Sequence, residues 1–406
     1  MRQNIPLEQA QSILEACVQP IGKETVRLNE ALGRVLAEEI VANEDIPPFD
    51  RSPFDGYAFR AADTQTASLT NPVTLTIIEE VPAGYAPTKQ VTPGTAVKIL
   101  TGAPIPEGAD TVIKYEDTEF TETEVKVFGP AKPGANIVTA GEDVPKGTVL
   151  VEPGTVITAP VLGLLAALGL TEIVVFKRPR IAIISTGNEL LDVSEPLLPG
   201  KIRNSNSYTL QGYLQTCGLE PVVIGIARDK KEEVAAKVEE GLAKADMVIT
   251  TGGVSVGDYD VVKDALEMLG AEILYWQIDI KPGSATLAAQ KDGKLIIGLS
   301  GNPAAAMVVL QLLVLPIIKK MAGRSAYANK KIEVILKEDF RKASPRRRFL
   351  RGTLVFENGL TYMRTTGGQG NAVLSSLIGC NLLAEIPAGS GPIQRGEKLT
   401  AYLVDC

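Results

Sequence analysis

The chain has 406 residues, 45% of them apolar and 22% charged, with a net charge of −7 and no histidine. Such a length exceeds one ordinary core of roughly 100–200 residues, so more than one globular unit is expected and disorder is not. The acidic balance excludes a protein whose main task is to neutralise nucleic-acid phosphates, and the missing imidazole excludes Ser-His-Asp triads, Cys-His dyads and His-ligated metals.

The N-terminus "MRQNIPLEQAQSILEACVQP" carries carboxylates and no continuous apolar run, so it does not read as a signal peptide. The apolar stretches 156–170 and 304–318 fall short of the ~20 residues of a bilayer span, and each contains a proline. No membrane association is expected, and the location expected is cytoplasmic. Cys17, Cys217, Cys380 and Cys406 show no CxxC spacing, which yields neither a zinc motif nor a disulfide framework.

In chain order, "LEQAQSILEACV" and "LNEALGRVLAEEIVA" both have helical apolar spacing, after which the proline-rich "DIPPFDRSPFDGY" breaks regular structure. From about residue 70 to 150, short β-prone runs alternate with Pro-Gly and Gly-Ala turns, predicting a small, mostly β domain. A helix is expected near 158–169. Strand and helix then alternate: "RIAIIS", "SNSYTLQGYLQTCG", "EPVVIGIA", "KKEEVAAKVEEGLAKA", "DMVITT", "YDVVKDALEMLG", "EILYWQI", "KLIIGLS" and the long "PAAAMVVLQLLVLPIIKKMAG". That rhythm implies a parallel sheet covered on both faces, with ligands at the carboxyl ends of its strands. From residue 331 the chain reads β again, with an Asn358-Gly359 hairpin turn, as a small barrel or sandwich. Arg346, Arg347 and Arg348 are read as a solvated strand edge whose charge discourages pairing.

The unusual polar residues fall where the strands of the α/β region end: "TGNEL" with Glu189, "RD" with Arg228 and Asp229, "GGVSVGDYD" with Asp258 and Asp260, "KPGSA" with Lys281, and "GNP". In a parallel sheet these loops converge on one edge. Gly252 and Gly253 permit close approach, so amides at the following helix can face an anion such as a phosphate. Glu189, Asp229 and Asp260 suit a hard cation such as Mg²⁺. A phosphorylated ligand bridged by a metal uses both elements. Each feature also has a plainer reading, since paired glycines commonly make only a turn and an aspartate at a helix start commonly caps it. No Walker A sequence is present, and "GSGPIQ" lacks the third glycine of a dinucleotide fingerprint.

The motifs "PPFDRSPFDGYA", "ILTGAPIPEGAD", "GEDVPKG", "ISTGNEL", "GIARDK", "TTGGVSVGDYD", "IKPG" and "GNPAAAM" occur in an order that resembles the molybdopterin molybdenumtransferase family, called MoeA in bacteria and found as the gephyrin E domain in animals. The resemblance covers essentially the whole chain. It implies a multidomain α/β protein: a central doubly wound α/β molybdopterin-binding domain at 178–328, a mostly β domain at 50–146, an elongated linker domain at 1–49 and 147–177, and a β-barrel-like C-terminal domain at 329–406. It implies insertion of molybdate into adenylylated molybdopterin with a divalent cation, Mg²⁺, and release of AMP. It further implies a homodimer whose cleft joins the α/β domain of one subunit to the mostly β domain of the other, with the molybdopterin adenylyltransferase as a further partner.

By matching position, Asp55 of "FDGYA" and Asp143 of "GEDV" face that cleft from one subunit, and Glu189, Asp229 and Asp260 from the other, the last three as metal ligands and the five together as catalytic carboxylates. Lys281, Arg228, Ser185, Thr186 and Thr101 fall to phosphate or molybdate oxygens, and Gly252, Gly253 and Ser255 to the pterin phosphate. The chain departs from the family's usual pattern at Gln277 and Ser284, where lysine is frequent, and at Ser300 of "SGNP". Adenylyl transfer to molybdopterin and a non-enzymatic dimeric scaffold or carrier are the rival functions. The "DGYA" and "GEDV" motifs speak against the first, and the absence of a long linker or added interaction domain against the second. Size and charge do not separate molybdate from tungstate, or Mg²⁺ from Mn²⁺.

Overall fold

The computed structural model describes residues 2–254 and 261–404. The chain divides into two compact units, one made of residues 1–37, 153–158 and 172–406, the other of residues 38–152 and 159–171.

The larger unit is built on a seven-stranded sheet. Its strands are β1 (Arg2–Ile5), β2 (Ile181–Thr186), β3 (Pro221–Ala227), β4 (Met247–Thr251), β5 (Glu272–Ile278), β6 (Leu287–Lys291) and β7 (Lys294–Leu299), in the order β1-β5-β6-β7-β4-β2-β3. The helices are α1 (Leu7–Ala16), α2 (Ser205–Thr216), α3 (Lys231–Lys244), α4 (Val261–Met268) and α5 (Pro303–Met321). Alternate residues of each strand feed opposite cores. Ile181, Ile183, Met247, Ile249 and Ile297 pack with α1, α2 and α5, while Ala182, Ile184, Val248 and Ile296 pack with α3 and α4. The period-2 projection of strand side chains thus places one helical layer on each face.

The sheet is mixed where the sequence predicts parallel strands alone. β6 runs antiparallel to both β5 and β7, so it reverses the chain within the sheet while β5 and β7 keep the common direction. The run "LAAQK" is followed by a tight turn and lacks the flanking helix of the other units. At the edge, β1 pairs parallel with β5.

The second expected helix, at residues 28–42, does not form. Only a single 3-10 turn at Leu28–Glu30 is helical, and Gly33 then takes φ +73°. From there the backbone is extended and borrowed by neighbours: the Gly33 N–H donates to the Ile157 carbonyl, Leu36 to Thr155 and Ala37 to Val174, at 2.8–3.0 Å. These long-range pairings override the local apolar period.

α5 is the one helix among the described residues long and apolar enough to cross a membrane, and 94% of its apolar window is buried inside the protein. It is the core helix of the larger unit. Its middle, Leu310–Val314, is a π turn, and the Leu312 carbonyl accepts the side-chain amides of Gln11 at 2.8 Å and Asn329 at 3.1 Å.

The C-terminal strands β8 (Lys331–Leu336), β9 (Arg348–Glu357), β10 (Leu360–Thr365), β11 (Leu382–Ile386) and β12 (Lys398–Leu403) close into a barrel in the order β8-β10-β9-β11-β12. Asn358 and Gly359 both have positive φ in the β9–β10 turn, as the hairpin signal requires. The arginine run is a solvated edge only in part, since Arg346 is exposed and the other two are not. Arg347 pairs with Glu385 at 2.8 Å and Glu8 at 2.5 Å, and Arg348 is buried, with its Nε donating to the Ser344 hydroxyl at 2.9 Å. Cys217 is held in a disulfide that the scattered cysteines do not disclose, whereas Cys17 and Cys380 are free thiols.

The smaller unit carries a six-stranded sheet in which Gly56–Phe59 lies between Thr111–Lys114 and Thr95–Ile99, with Val73–Val81, Glu124–Val127 and Thr118–Phe120 beyond. Tyr57 and Phe59 point to one core and Ala58 to the other, so the residues preceding Gly56 are anchored by a fully buried strand.

Arg34 tests the extended placement of residues 33–37. It is 8% exposed, with its guanidinium on the Glu24 carboxylate and the Phe176 carbonyl. Arg34→Ala is expected to cost about 1–2 kcal/mol, because a buried guanidinium that donates to the Phe176 carbonyl is lost, and Glu24→Gln less than about 1 kcal/mol, because that carboxylate is partly exposed. Urea denaturation followed by fluorescence reads both. Equal, negligible effects would contradict the placement.

Candidate functional site

Five strand ends and two segments of the barrel line a cavity of about 830 Å³ in the larger unit. Each lining group is there for a local reason. β2 ends at Thr186, whose hydroxyl donates to the Thr251 carbonyl at 3.2 Å. At Gly187, φ is +151°, and a Cβ there would stand 2.4 Å from Glu189 Oε2, so the Glu189 carboxylate folds over this residue. The end of β3 supplies Asp229. Its Oδ2 accepts the Asn188 N–H at 2.9 Å, while its own N–H donates to Asn188 Oδ1 at 3.2 Å. Two neighbouring loops are thereby locked to each other, and Glu189 and Asp229 line the same cavity.

β4 ends at Gly252 (φ +91°) and Gly253 (φ +62°). A Cβ on Gly252 would meet the Thr186 carbonyl at 2.4 Å, and one on Gly253 would meet Val262 at 2.9 Å. Only glycines bring these loops so close. The Gly252 N–H donates to the Leu299 carbonyl at 3.0 Å, which extends the sheet ladder, so its contribution here is close approach rather than an open amide. Across the cavity, Ser300, Gly301 and Asn302 lead into the N-terminus of α5, whose dipole favours anions.

β5 contributes Gln277 and, beyond it, Lys281. Gln277 has φ +69°, a left-handed conformation a non-glycine residue holds only when its surroundings impose it, and its N–H donates to the Thr286 carbonyl at 2.7 Å. Lys281 is held by the barrel: its N–H donates to the Arg347 carbonyl and its carbonyl accepts from Phe349 N–H, both at 2.8 Å. The barrel also sends Pro345, Arg346 and Asn371 into the lining. Sequence reading missed these three. The arginine run was a visible signal for Arg346, but Asn371 carries none.

Several expected ligands are occupied elsewhere. Ser185 is buried beneath the cavity, donating to Asn204 Oδ1 at 3.0 Å and accepting from the Thr251 hydroxyl at 3.2 Å. The Arg228 guanidinium donates through Nη1 to the Leu190 carbonyl at 2.9 Å and steadies the Glu189 turn. Asp260 and Ser255, like Asp258, lie outside the described residues. Among the described residues no three His, Cys, Asp or Glu side chains converge as a metal cage. What the cavity presents is a pair of carboxylates, Glu189 and Asp229, facing a pair of cations, Lys281 and Arg346. Such a pair of carboxylates suits a hard cation that keeps waters and shares a phosphate ligand.

Three successive regions of the chain match known families. Residues 5–169 match the MoeA N-terminal region (domain I and II), residues 182–320 a probable molybdopterin binding domain, and residues 333–404 the MoeA C-terminal region (domain IV). The chain belongs to the MoeA family. It is 40% identical to the molybdopterin molybdenumtransferase of Bacillus subtilis, over 94% of this chain and 90% of that one. To the molybdopterin molybdenumtransferase of Staphylococcus aureus (strain Mu50) it is 37% identical, over 94% and 91%. The crystal structure of a molybdopterin biosynthesis MoeA protein from Pyrococcus horikosii superposes with a TM-score of 0.86 and 34% identity, covering 100% of both chains.

The other carboxylates expected from the MoeA resemblance, Asp55 and Asp143, belong to the smaller unit. Asp55 precedes the buried Gly56–Phe59 strand. Its Oδ1 accepts both the backbone N–H and the hydroxyl of Thr101, each at 2.7 Å. Those donors hold the carboxyl below its ordinary range. Thr101 therefore serves Asp55 instead of offering a free hydroxyl to a ligand. The Asp143 N–H donates to the Ile46 carbonyl at 3.0 Å, and its side chain is exposed.

Thr101→Val removes one of the two donors that favour the ionised form, so the Asp55 titration is expected to rise toward the usual aspartate range. The native preference for ionised Asp55 is present above the unfolded pKa and is lost as pH falls through the lowered folded value; in the variant the contribution is smaller and its loss is complete at a higher pH. Carboxyl ¹³C shifts followed against pH measure it. An unmoved midpoint would show that the hydroxyl is not the donor.

Proposed function

We infer that this cavity is where the chain carries out its reaction in molybdenum cofactor biosynthesis. The protein is an enzyme, a molybdopterin molybdenumtransferase, with molybdopterin and molybdate as its substrates. The observation that carries the placement is the joint presence, around one space of about 830 Å³, of two carboxylates, a lysine and a helix N-terminus at the strand ends of the molybdopterin-binding region, with an arginine from the barrel beside them.

The finer account we propose has adenylylated molybdopterin as the incoming form. Its phosphates lie against the Gly253 loop and the start of α5, where the helix dipole favours negative charge. Glu189 and Asp229, with Asp260, would hold a divalent cation such as Mg²⁺, which when bound offsets the charge of the phosphoanhydride. Asn188 fixes the Asp229 carboxylate for this purpose. Water then attacks the phosphoanhydride, a P–O bond breaks and AMP leaves. With no histidine in the chain, the water's proton passes to a carboxylate. Lys281 attracts the molybdate dianion. In a homodimer, Asp55 and Asp143 of one copy would approach the cavity of the other and add carboxylates to it. The molybdopterin adenylyltransferase is the partner that would deliver the adenylylated substrate, and a cytoplasmic location suits this chemistry.

Asp229→Ala and Asp55→Ala are each expected to lower molybdate-dependent AMP release by about 100-fold or more, in line with loss of a metal-binding or proton-accepting group. The size-exclusion mass should stay as in the parent, with thermal melting lowered by only the few degrees that loss of these local hydrogen bonds brings. Full activity in both variants would remove these residues from the mechanism.

A further inference from the structure

The smaller unit has a cavity of its own, about 570 Å³, lined by Tyr57, Lys98, Glu80 and Phe120. Its size falls in the roughly 300–1,000 Å³ range of small-molecule sites. Strand register explains the lining. Tyr57 stands opposite Lys98, and Lys98 opposite Glu80, so one cross-strand row turns a ring, an ammonium and a carboxylate to the same face of the sheet. Phe120 ends the neighbouring Thr118–Phe120 strand, and Tyr115 backs the two other rings, the three centroids lying 5.2–5.7 Å apart. Within this cluster Tyr57 is fully buried, whereas Phe120 is 53% exposed and offers a ring face.

The Tyr57 hydroxyl is buried and has no hydrogen-bond partner among the described residues, and the same holds for Tyr115. A buried hydroxyl left unpaired works against folding, and its retention calls for an explanation. Burial, with the Glu80 carboxylate adding to it, raises both phenols, so both keep their protons and stand as donors. Glu80 Oε2 accepts Lys98 Nζ at 3.1 Å, and Oε1 remains an acceptor. The cavity thus combines an exposed aromatic face, a donor and a neighbouring acceptor.

We propose that this cavity binds a planar nitrogen heterocycle carrying a ring acceptor next to an N–H donor, the edge shared by adenine and pterin. The ring stacks on Phe120, the Tyr57 hydroxyl donates to its acceptor, and Glu80 receives its N–H. A simple anion would meet the Glu80 carboxylate, and an aliphatic chain would leave the hydroxyl unpaired. The site lies wholly in the smaller unit, goes beyond the transferase reading and does not rest on it.

The test uses the full chain. Calorimetric titrations with adenosine and, separately, with pterin, neither of which carries a phosphate, are compared for the parent, Tyr57→Phe, Phe120→Ala, Glu80→Ala and Lys281→Ala. The parent is expected to bind at least one of the two; adenosine alone assigns the site to a nucleotide, pterin alone to a pterin, and both to the shared edge. Tyr57→Phe and Glu80→Ala should each weaken binding about fivefold, as loss of one hydrogen bond does, and Phe120→Ala about tenfold through lost stacking. Lys281→Ala, in the other cavity, should bind as the parent does. Tyr57→Phe keeps the ring packing and removes only an unpaired hydroxyl, so it should melt at or above the parent's temperature, which separates lost binding from lost folding. No binding of either ligand up to its solubility overturns the proposal. So does binding that is unchanged in Tyr57→Phe and Phe120→Ala, or that falls in Lys281→Ala instead, which would place the ligand in the α/β cavity.

Discussion

Two backbone hydrogen bonds join the halves of the site. Lys281 donates to Arg347 and accepts from Phe349, both at 2.8 Å, so the loop after β5 is paired to the first residues of β9 as a short parallel bridge. Everything cationic in the cavity depends on this pairing, since it fixes Lys281 from one side and carries Arg346 in from the other. The barrel is consequently part of the site and not an appendage. Arg347 secures the junction from behind. Burial works against its charge, but hydrogen bonds to Glu385 and Glu8 outweigh that cost and hold the guanidinium above its ordinary value. Its ion pairs tie α1, β9 and β11 together at this point.

The opposite wall is built from glycine and from loop-to-loop locks. Gly187, Gly252 and Gly253 have positive φ, and a side chain at any of them would meet a neighbour closer than 3.0 Å. The Asn188–Asp229 exchange holds two strand ends in register, and Arg228 steadies the turn that bears Glu189. Carboxylates and cations line one space, which suits the proposed reading of a metal-bridged phosphate and a free oxyanion received together. A pocket of a single sign would bind one and repel the other.

Much of this was legible in the sequence. Strand ends in an α/β repeat announce where the site lies, and Glu189, Asp229, Lys281 and the paired glycines are found there. What was not legible depends on long-range contacts. The segment at 28–42 has helical spacing, yet it is drawn into extended pairing with residues 155, 157 and 174, which no local pattern discloses. β6 is unaccompanied by a helix, so its reversal is invisible. Ser185, Arg228 and Thr101 are polar residues at suitable positions, but they hydrogen-bond within the protein. Arg346 shows the converse, since a charge run that reads as a surface feature becomes a lining residue once the barrel closes.

The most direct measurement is the anomalous scattering at the molybdenum edge of crystals of this chain grown with molybdopterin and soaked in molybdate. The account predicts a peak in the α/β cavity, on the wall formed by Lys281 and Arg346. A peak in the smaller unit away from any copy's cavity, or none at saturating molybdate in crystals that hold the pterin, would contradict it.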